Sequence, residues 1–524
     1  MPTAFDTLYR ISSLAQNRQL KQFGFDQNLQ GWMDAHRDMI LENWWFYHGY
    51  HNLFLLRFEK EDESDFMKRC QEATIENHIK PIINLMTSHL YGHQVKRVVK
   101  RNGEVDKELQ DILQRIVWNQ NNIEELDDSK ALNSSVTGYT VIAREFIDIR
   151  TNESFSPAED NITKNKYGYV KKTPLDSAFT YLLPYVDRYG IIDCRRVGAV
   201  LYFADHSQNP SNIQPTQLLN NAFTDYKVMW YVNDDVWLKW TQNPNDKTWT
   251  QITMFPNTKY VNKNPYGKVT IPFSVYKNVG DPYYIEGDSD VFDIRSLNLE
   301  LNELSNGDKD TIRYHQYPIL AAFGCEFPVN WVRTKNTQFE FKDSPKDKAD
   351  VKYLTWEGKL EASRDKQEQL RRSMSLVSQV SLLSRGFMKD IGQIRSGPPL
   401  KALFTSDRAL MSRKFAVFKA NESQDMMADL QFYKQNVSSL IDIDNTVKCE
   451  AIFSEDFLGI DALLEAEIAA IQKQTGTETV EEILRAEHPD WTEEEINKGV
   501  KDVEKVSGNR GAATQSPEMK GIQQ

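Results

Sequence analysis

The run Gly287-Asp288-Ser289-Asp290-Val291-Phe292-Asp293-Ile294-Arg295-Ser296-Leu297-Asn298-Leu299-Glu300-Leu301-Asn302-Glu303-Leu304-Ser305-Asn306-Gly307 decides the fold. Before Gly287 the chain alternates short β-prone segments with Asn, Asp, Pro and Gly clusters. After it, Val291, Ile294, Leu297, Leu301 and Leu304 recur at spacings of 3, 3, 4 and 3, one face of a helix. Ser289 is placed to cap that helix, with Asp288 and Asp290 near its positive end. The helix is predicted to reach about His315 with an interruption or bend at Asn306-Gly307, a span of roughly 40 Å.

Upstream, Ile75, Ile79, Ile82, Ile83, Met86 and Leu90 follow helical spacing up to Gly92, and 107–132 reads as a further helical stretch. Gly138 breaks it, and Tyr139–Ala143 reads as a strand. Tyr181–Tyr185, Val197–Phe203, Lys227–Val232, Val236–Trp240 and Trp249–Phe255 are predicted strands, in a β-rich region that ends at 271–278. Downstream, strands are expected at 318–323, 338–342 and 351–356. A second helix has Leu370, Met374, Val377, Val380 and Leu383 on one face. Arg385–Pro399, with three glycines and a Pro-Pro pair, reads as a loop before a long helix over 400–436. A strand at 447–453, two helical stretches at 461–474 and 478–505, and a disordered tail over 506–524 complete the reading.

At 524 residues the chain is long enough for several structural units, and its 40% hydrophobic and 26% charged residues are globular values. The net charge of −12 argues against a globally basic nucleic-acid binder, but the charge is divided. Lys359–Lys419 carries thirteen basic and five acidic residues, whereas Ser454–Lys505 carries fifteen acidic and five basic ones. Cys70, Cys194, Cys325 and Cys449 lack CxxC spacing, so a disulfide framework or zinc module is not expected, and a reducing compartment fits. No signal peptide or membrane span is expected.

Motifs for chemistry are missing. There is no GxxxxGK[ST] phosphate loop, no GxGxxG after a strand, no GxSxG elbow and no HExxH helix. His89 and His93 are four apart without a third ligand, and they read as packed or surface histidines, as do His48 and His51. Asp288-Ser289-Asp290 reads as a cap before it reads as a metal site. The scattered aromatics read as core. No metal and no cofactor is expected.

Three segments in this order resemble the portal proteins of tailed bacteriophages. They are Asn77-x2-Lys80-Pro81-Ile82-Ile83 running to Leu90-Tyr91-Gly92; Ile271-Pro272-Phe273 through Asn278, Gly287–Asp290 and Leu297–Asp310; and Ser396-Gly397-x2-Leu400-Lys401. The resemblance covers about 75–500. It implies an α+β portal fold: an α/β wing over 1–287 with a return segment over 437–460, and stem helices at 288–316 and 360–384. It further implies a small α/β clip at 317–359, a tunnel loop at 385–399, a long wing helix at 400–436 behind that loop, and a helical crown at 461–505.

The function implied is a non-enzymatic, homo-oligomeric ring, commonly a dodecamer, at one capsid vertex, through which double-stranded DNA is packaged and ejected. The implied partners are the terminase large subunit, the major capsid and scaffolding proteins, and a head–tail adaptor. The location is the virion, after assembly in the host cytoplasm. DNA must slide, so few phosphate contacts and no base readout are expected. Arg385, Lys389 and Arg395 are the candidate DNA-facing residues of the tunnel loop. Arg364, Arg371 and Arg372 are stem residues for DNA or for inter-subunit ion pairs. The acidic C-terminal helices would face DNA as a repulsive collar or form a solvated face. The alternatives are a polysaccharide hydrolase acting through two carboxylates, and another phage virion structural protein.

Overall fold

The computed structural model describes residues 27–148, 168–204, 228–316, 319–323, 350–354, 360–381, 405–436 and 442–453, apart from 58, 60, 93–94, 188, 190–191, 243–247 and 256–259, with a few positions between 481 and 501. The tunnel-loop positions Arg385, Lys389 and Arg395, the expected strand at 338–342 and the tail over 506–524 lie outside the described residues, as does most of 454–505.

The chain is α+β. Helices α1 (Gln27–His48), α2 (Glu63–Glu72) and α3 (Ile79–Tyr91) lead into the short hairpin of β1 (Lys96–Arg101) and β2 (Glu104–Val105). Trp44, Trp45, Phe46 and Tyr47 are buried at the end of α1. Helix α3 starts where Asn77 Oδ1 accepts the Ile79 and Lys80 amides, both at 3.1 Å. Its apolar face, Ile79, Ile82, Ile83, Met86 and Leu90, is buried.

The stretch predicted as one helix over 107–132 is two, α4 (Lys107–Ile116) and α5 (Ile123–Thr137). Asn122 between them is left-handed at φ 44°, a conformation that asparagine tolerates. Asn121 holds the break by donating to the Val117 and Val170 carbonyls and accepting the Lys172 amide.

Strands β3 (Tyr139–Asp148) and β4 (Gly168–Leu175) follow, then β5 (Thr180–Val186), β6 (Ile192–Ala204), β7 (Val228–Asn233), β8 (Trp237–Gln242), β9 (Trp249–Ile252) and β10 (Phe273–Lys277). All pairings are antiparallel. One sheet runs β5-β6-β7-β8-β9 and another runs β10-β3-β4.

The decisive helix, α6 (Phe292–Gln316), is continuous through Asn306-Gly307. A mid-helix glycine costs about 1 kcal/mol, and the contacts of Asn306 described below offset it. Strands β11 (Ile319–Phe323) and β12 (Asp350–Leu354) pair antiparallel, and α7 (Glu361–Ser378) returns against α6. Helix α7 ends at Ser378 rather than running on to 384, because Gln379 turns left-handed at φ 57°. Leu370 and Met374 are buried on α6 as their spacing predicts, whereas Val377 faces out. The long helix α8 (Thr405–Asn436) packs on β10 and on β13 (Val447–Ile452), and β13 pairs with β1 to close a sheet of order β13-β1-β2. Residues 495–501 are helical; Ile496 is buried and Glu495 pairs with Lys107 of α4.

Candidate functional site

The motif residues converge where β3, β10 and α6 meet. Gly138 ends α5 at φ 93°, and its carbonyl accepts the Asn278 amide at 2.9 Å. Gly287 lies so close that a Cβ there would sit 2.5 Å from the Asn278 carbonyl oxygen and 2.6 Å from that of Gly138, so only glycine fits. Asn278 donates to the Asp288 carbonyl at 2.8 Å and accepts from Lys414 Nζ at 2.8 Å. Ser289 Oγ accepts the Val291 amide at 3.1 Å and donates to the Val136 carbonyl at 2.6 Å. It therefore caps the start of α6 and ties it to α5. Asp290 does more than face a helix end: it pairs with buried Lys414 of α8 at 2.6 Å. Lys414, part of the basic block, is thus an internal strut. Among the described residues no group of three or more His, Cys, Asp and Glu is arranged to hold a metal.

Along α6, Asn298, Asn302 and Asn306 recur every fourth residue and form a ladder against residues 74–78. Four helical residues rise about 6.0 Å, and two extended residues rise about 6.6 Å, so the two repeats nearly match. The Asn298, Asn302 and Asn306 oxygens accept the amides of His78, Glu76 and Thr74 at 2.9, 2.8 and 2.8 Å. Asn298 and Asn306 donate back to the Glu76 and Thr74 carbonyls. Asn298 and Asn302 both donate to His51 Nδ1, at 3.1 and 2.8 Å. His51 Nε2 lies 2.8 Å from the Phe46 carbonyl, and a neutral imidazole protonated on Nε2 satisfies all three contacts. Burial lowers the His51 pKa to about 4.

The arginines of α7 divide. Arg371 turns inward and pairs with Glu76 at 2.8 Å, clamping residues 74–78 from the other side. That ion pair lies within the chain. Arg372 is exposed and paired to Glu368 one turn back at 2.7 Å. Arg364 is exposed.

Beneath α8 lies a buried ionic lattice. Glu422, Asp425 and Asp429 descend from α8 onto Arg97 of β1, Asp127 and Lys130 of α5, Arg144 of β3 and Lys172 of β4, all buried. Arg97 meets Asp127 at 2.6 Å and Glu422 at 3.1 Å, and Lys130 meets Glu422 at 2.8 Å. Arg144 bridges Asp425 and Asp429, and so does Lys172. Tyr276 donates to Asp425 at 2.6 Å and Tyr91 to Glu422 at 3.0 Å. The four cations balance the four carboxylates. Burial pushes Glu422 upward, but Arg97 and Lys130 outweigh it and hold its pKa at about 2. Lys172, Arg144 and Lys130 likewise overcome burial to hold Asp425 well below its ordinary value. For Asp127 and Asp429 burial is the larger influence and raises their pKa values despite the neighbouring cations. The lattice joins two sheets and two helices.

A cleft of about 770 Å³ opens beside the start of α6. Trp32, Tyr284 and Phe292 supply aromatic surface, and Asp281, Glu286, Asp288 and Asp293 supply carboxylates. No lysine or arginine is among the described residues that line it. Burial raises the Glu286 pKa to about 7. Gly287, Asp288 and Ser289 of the capping motif line this cleft, but the motif alone does not reveal it, because other walls come from α1, β5 and β6.

Among the described residues no helix is long and apolar enough to cross a membrane. No protein-family model matches the chain, and no curated protein matches it. Among solved structures the chain is similar to one in the virion of a native gene transfer agent particle, with 12% identity over 79% of this chain and 90% of that one, at a TM-score of 0.41. It is similar to one in the neck of an empty particle of that agent computed with C6 symmetry, with 12% identity over 83% and 95% and a TM-score of 0.41. A third, in the neck of the native particle computed with C12 symmetry, gives 12% identity over 76% and 86% and a TM-score of 0.37.

Proposed function

We propose that this chain is a ring-forming, non-enzymatic portal subunit that conducts double-stranded DNA into and out of a virus-like head. The observation that carries the reading is the order and anchoring of parts. A continuous helix leaves an α+β body, a β-hairpin follows, and a second helix returns beside the first. The excursion is fixed to the body by the asparagine ladder, by Asp290–Lys414, and by the bond of Ser381 to Asp407 of the long helix. The sequence resemblance asks for that order in a stem. Rings require a rigid subunit with two complementary lateral surfaces, and a stem held at several points supplies the rigidity. DNA would be touched sparsely and without base readout, through Arg385, Lys389 and Arg395, with Arg364 and Arg372 exposed on the stem. The terminase large subunit, scaffolding and major capsid proteins and a head–tail adaptor are the proposed partners, in assembly in a host cytoplasm and then in the virion.

A second reading, polysaccharide hydrolysis, has one observation behind it. Glu286, raised to about 7 in an aromatic cleft with further carboxylates, has the chemistry of a general acid.

Negative-stain microscopy of the purified full chain separates the two. Rings with a central channel are expected, together with no release of reducing ends from polysaccharides. Replacing Arg385, Lys389 and Arg395 with alanine is expected to leave rings intact and to change DNA packaging or retention. A monomer whose polysaccharide cleavage is lost in Glu286→Gln would establish the hydrolase instead.

A further inference from the structure

The cleft at the start of α6 is apolar, acidic and exposed. Trp32, Tyr284 and Phe292 are 40%, 60% and 49% accessible around the carboxylates of Glu286, Asp288 and Asp293. Aromatic groups left in water at the mouth of a concave site mark an interface core. No lysine or arginine is among the described lining residues; Arg295 stacks on Phe292 at 4.5 Å but pairs with Glu42, and His36, 3.8 Å from Glu286, is held neutral by burial.

The same chain presents the complementary chemistry on α7. Leu376 is 79% accessible and Val377 is 45% accessible, an apolar tip on a helix whose other exposed positions, Ala362 apart, are polar or charged. Arg372 lies four residues before Leu376, on the same face. Its partner Glu368 is exposed too, and such a surface pair is worth little and is readily exchanged.

Both features are anchored to the long helix α8. The end of α7 is tied to α8 through Ser381 and Asp407, and the start of α6 is tied to α8 through Asp290 and Lys414. These α8 positions are seven residues apart, about 10 Å along the helix. A ridge and a cleft on different faces of one subunit make a head-to-tail contact, which generates a ring where the rotation closes.

We propose that the Arg372–Leu376–Val377 ridge of one copy docks into the Trp32–Tyr284–Phe292 cleft of the next copy, with Arg372 meeting Glu286. This rests on the ring-forming reading and names its lateral contact. Leu376 and Val377 enter the aromatic mouth. The guanidinium supplies the cation that the carboxylates lack, and its planar fork suits them.

Cys194, a free thiol on β6, lines this cleft and provides the test. A disulfide forms only when the two Cα atoms lie within about 7 Å. The full chain carrying Leu376→Cys, oxidised mildly, is expected to give a ladder of covalent multimers on a non-reducing gel. The ladder is expected to vanish when Cys194→Ser is added. Arg372→Glu and Glu286→Arg are each expected to reduce assembly, and the double variant is expected to restore it. Rings that form without a Cys194-dependent ladder, and that tolerate Arg372→Glu, overturn the docking while leaving the ring-forming reading intact. A full chain that stays monomeric by light scattering overturns both.

Discussion

Replacing Arg144 with methionine is expected to lower the unfolding free energy by on the order of 3–5 kcal/mol, the largest effect of any single substitution outside the apolar core. Arg144 is fully buried and each of its three nitrogens has a partner among Asp425, Asp429, the Ser274 hydroxyl, and the carbonyls of Ile271 and Asp425. Without it, Asp425 and Asp429 share Lys172, with Lys130 farther off at 3.9 Å. One carboxylate is then left without a matched charge in a site closed to water. The contrasting variant pairs Arg144→Met with Asp429→Leu. It leaves three cations and three carboxylates and is expected to recover much of the loss, because charge balance rather than the number of ion pairs decides the cost. A double-mutant cycle in urea unfolding measures the coupling. Equal losses in the single and double variants would show that Arg144 acts through packing alone.

The lattice also sets an acid limit. Glu422 titrates at about 2 in the folded chain, against an ordinary value of 4.5. A folded pKa below the unfolded one means that its contribution is fully present above pH ~4.5 and is lost as pH falls toward 2. Glu422 and Asp425, both held below their ordinary values, are therefore expected to hold the long helix in place throughout the neutral range, whereas Asp429, raised by burial, adds nothing by this route.

How much of this was legible depended on the distance between partners. The apolar spacing of α3 and α6 is local: Ile79, Ile82, Ile83, Met86 and Leu90 are buried as it requires, and so are Ile294 and Leu301, with Leu297 and Leu304 half-buried between and beyond them. The ladder was not legible. Asn306-Gly307 looked like a break because asparagine and glycine are poor helix formers, and their compensation comes from Thr74, more than two hundred residues away. The lattice was hidden for the same reason. Glu422, Asp425 and Asp429 have the look of a solvated helix face, and Arg97 in a run of lysines and arginines that forms β1 has the look of exposed polarity. Their partners lie 285 to 325 residues away in the cases of Arg144–Asp429 and Arg97–Glu422. Strand β4 escaped notice although it supplies Lys172. Of the candidate arginines, the basic block gave the composition and not the direction: Arg371 points inward and Arg372 outward.

Acid is expected to loosen the stem through His51 before it reaches the lattice. Folded His51 titrates at about 4, against an ordinary value of 6.5. The unfolded chain therefore binds the extra proton throughout that window, and stability falls as pH drops from 6.5 toward 4. A shift of this size corresponds to about 3 kcal/mol at the bottom of the window. Burial is the main cause, and the geometry opposes the proton as well: protonating Nδ1 places a hydrogen against two amide donors, those of Asn298 and Asn302. Asn302→Asp tests the assignment without changing shape. The carboxylate still accepts the Glu76 amide, loses its donor to His51, and favours the imidazolium. His51 should then titrate well above 4, and the loss of stability between pH 6.5 and 4 should flatten or reverse. Asn302→Ala, by contrast, orphans the Glu76 amide, at a cost of roughly 1–3 kcal/mol for that group, leaves His51 Nδ1 with Asn298 as its donor, and is expected to weaken α6 at every pH. Nuclear magnetic resonance titration of the His51 ring, with urea unfolding at pH 7 and pH 5, reads both effects. An unchanged His51 titration in Asn302→Asp would dissociate the ladder from the histidine.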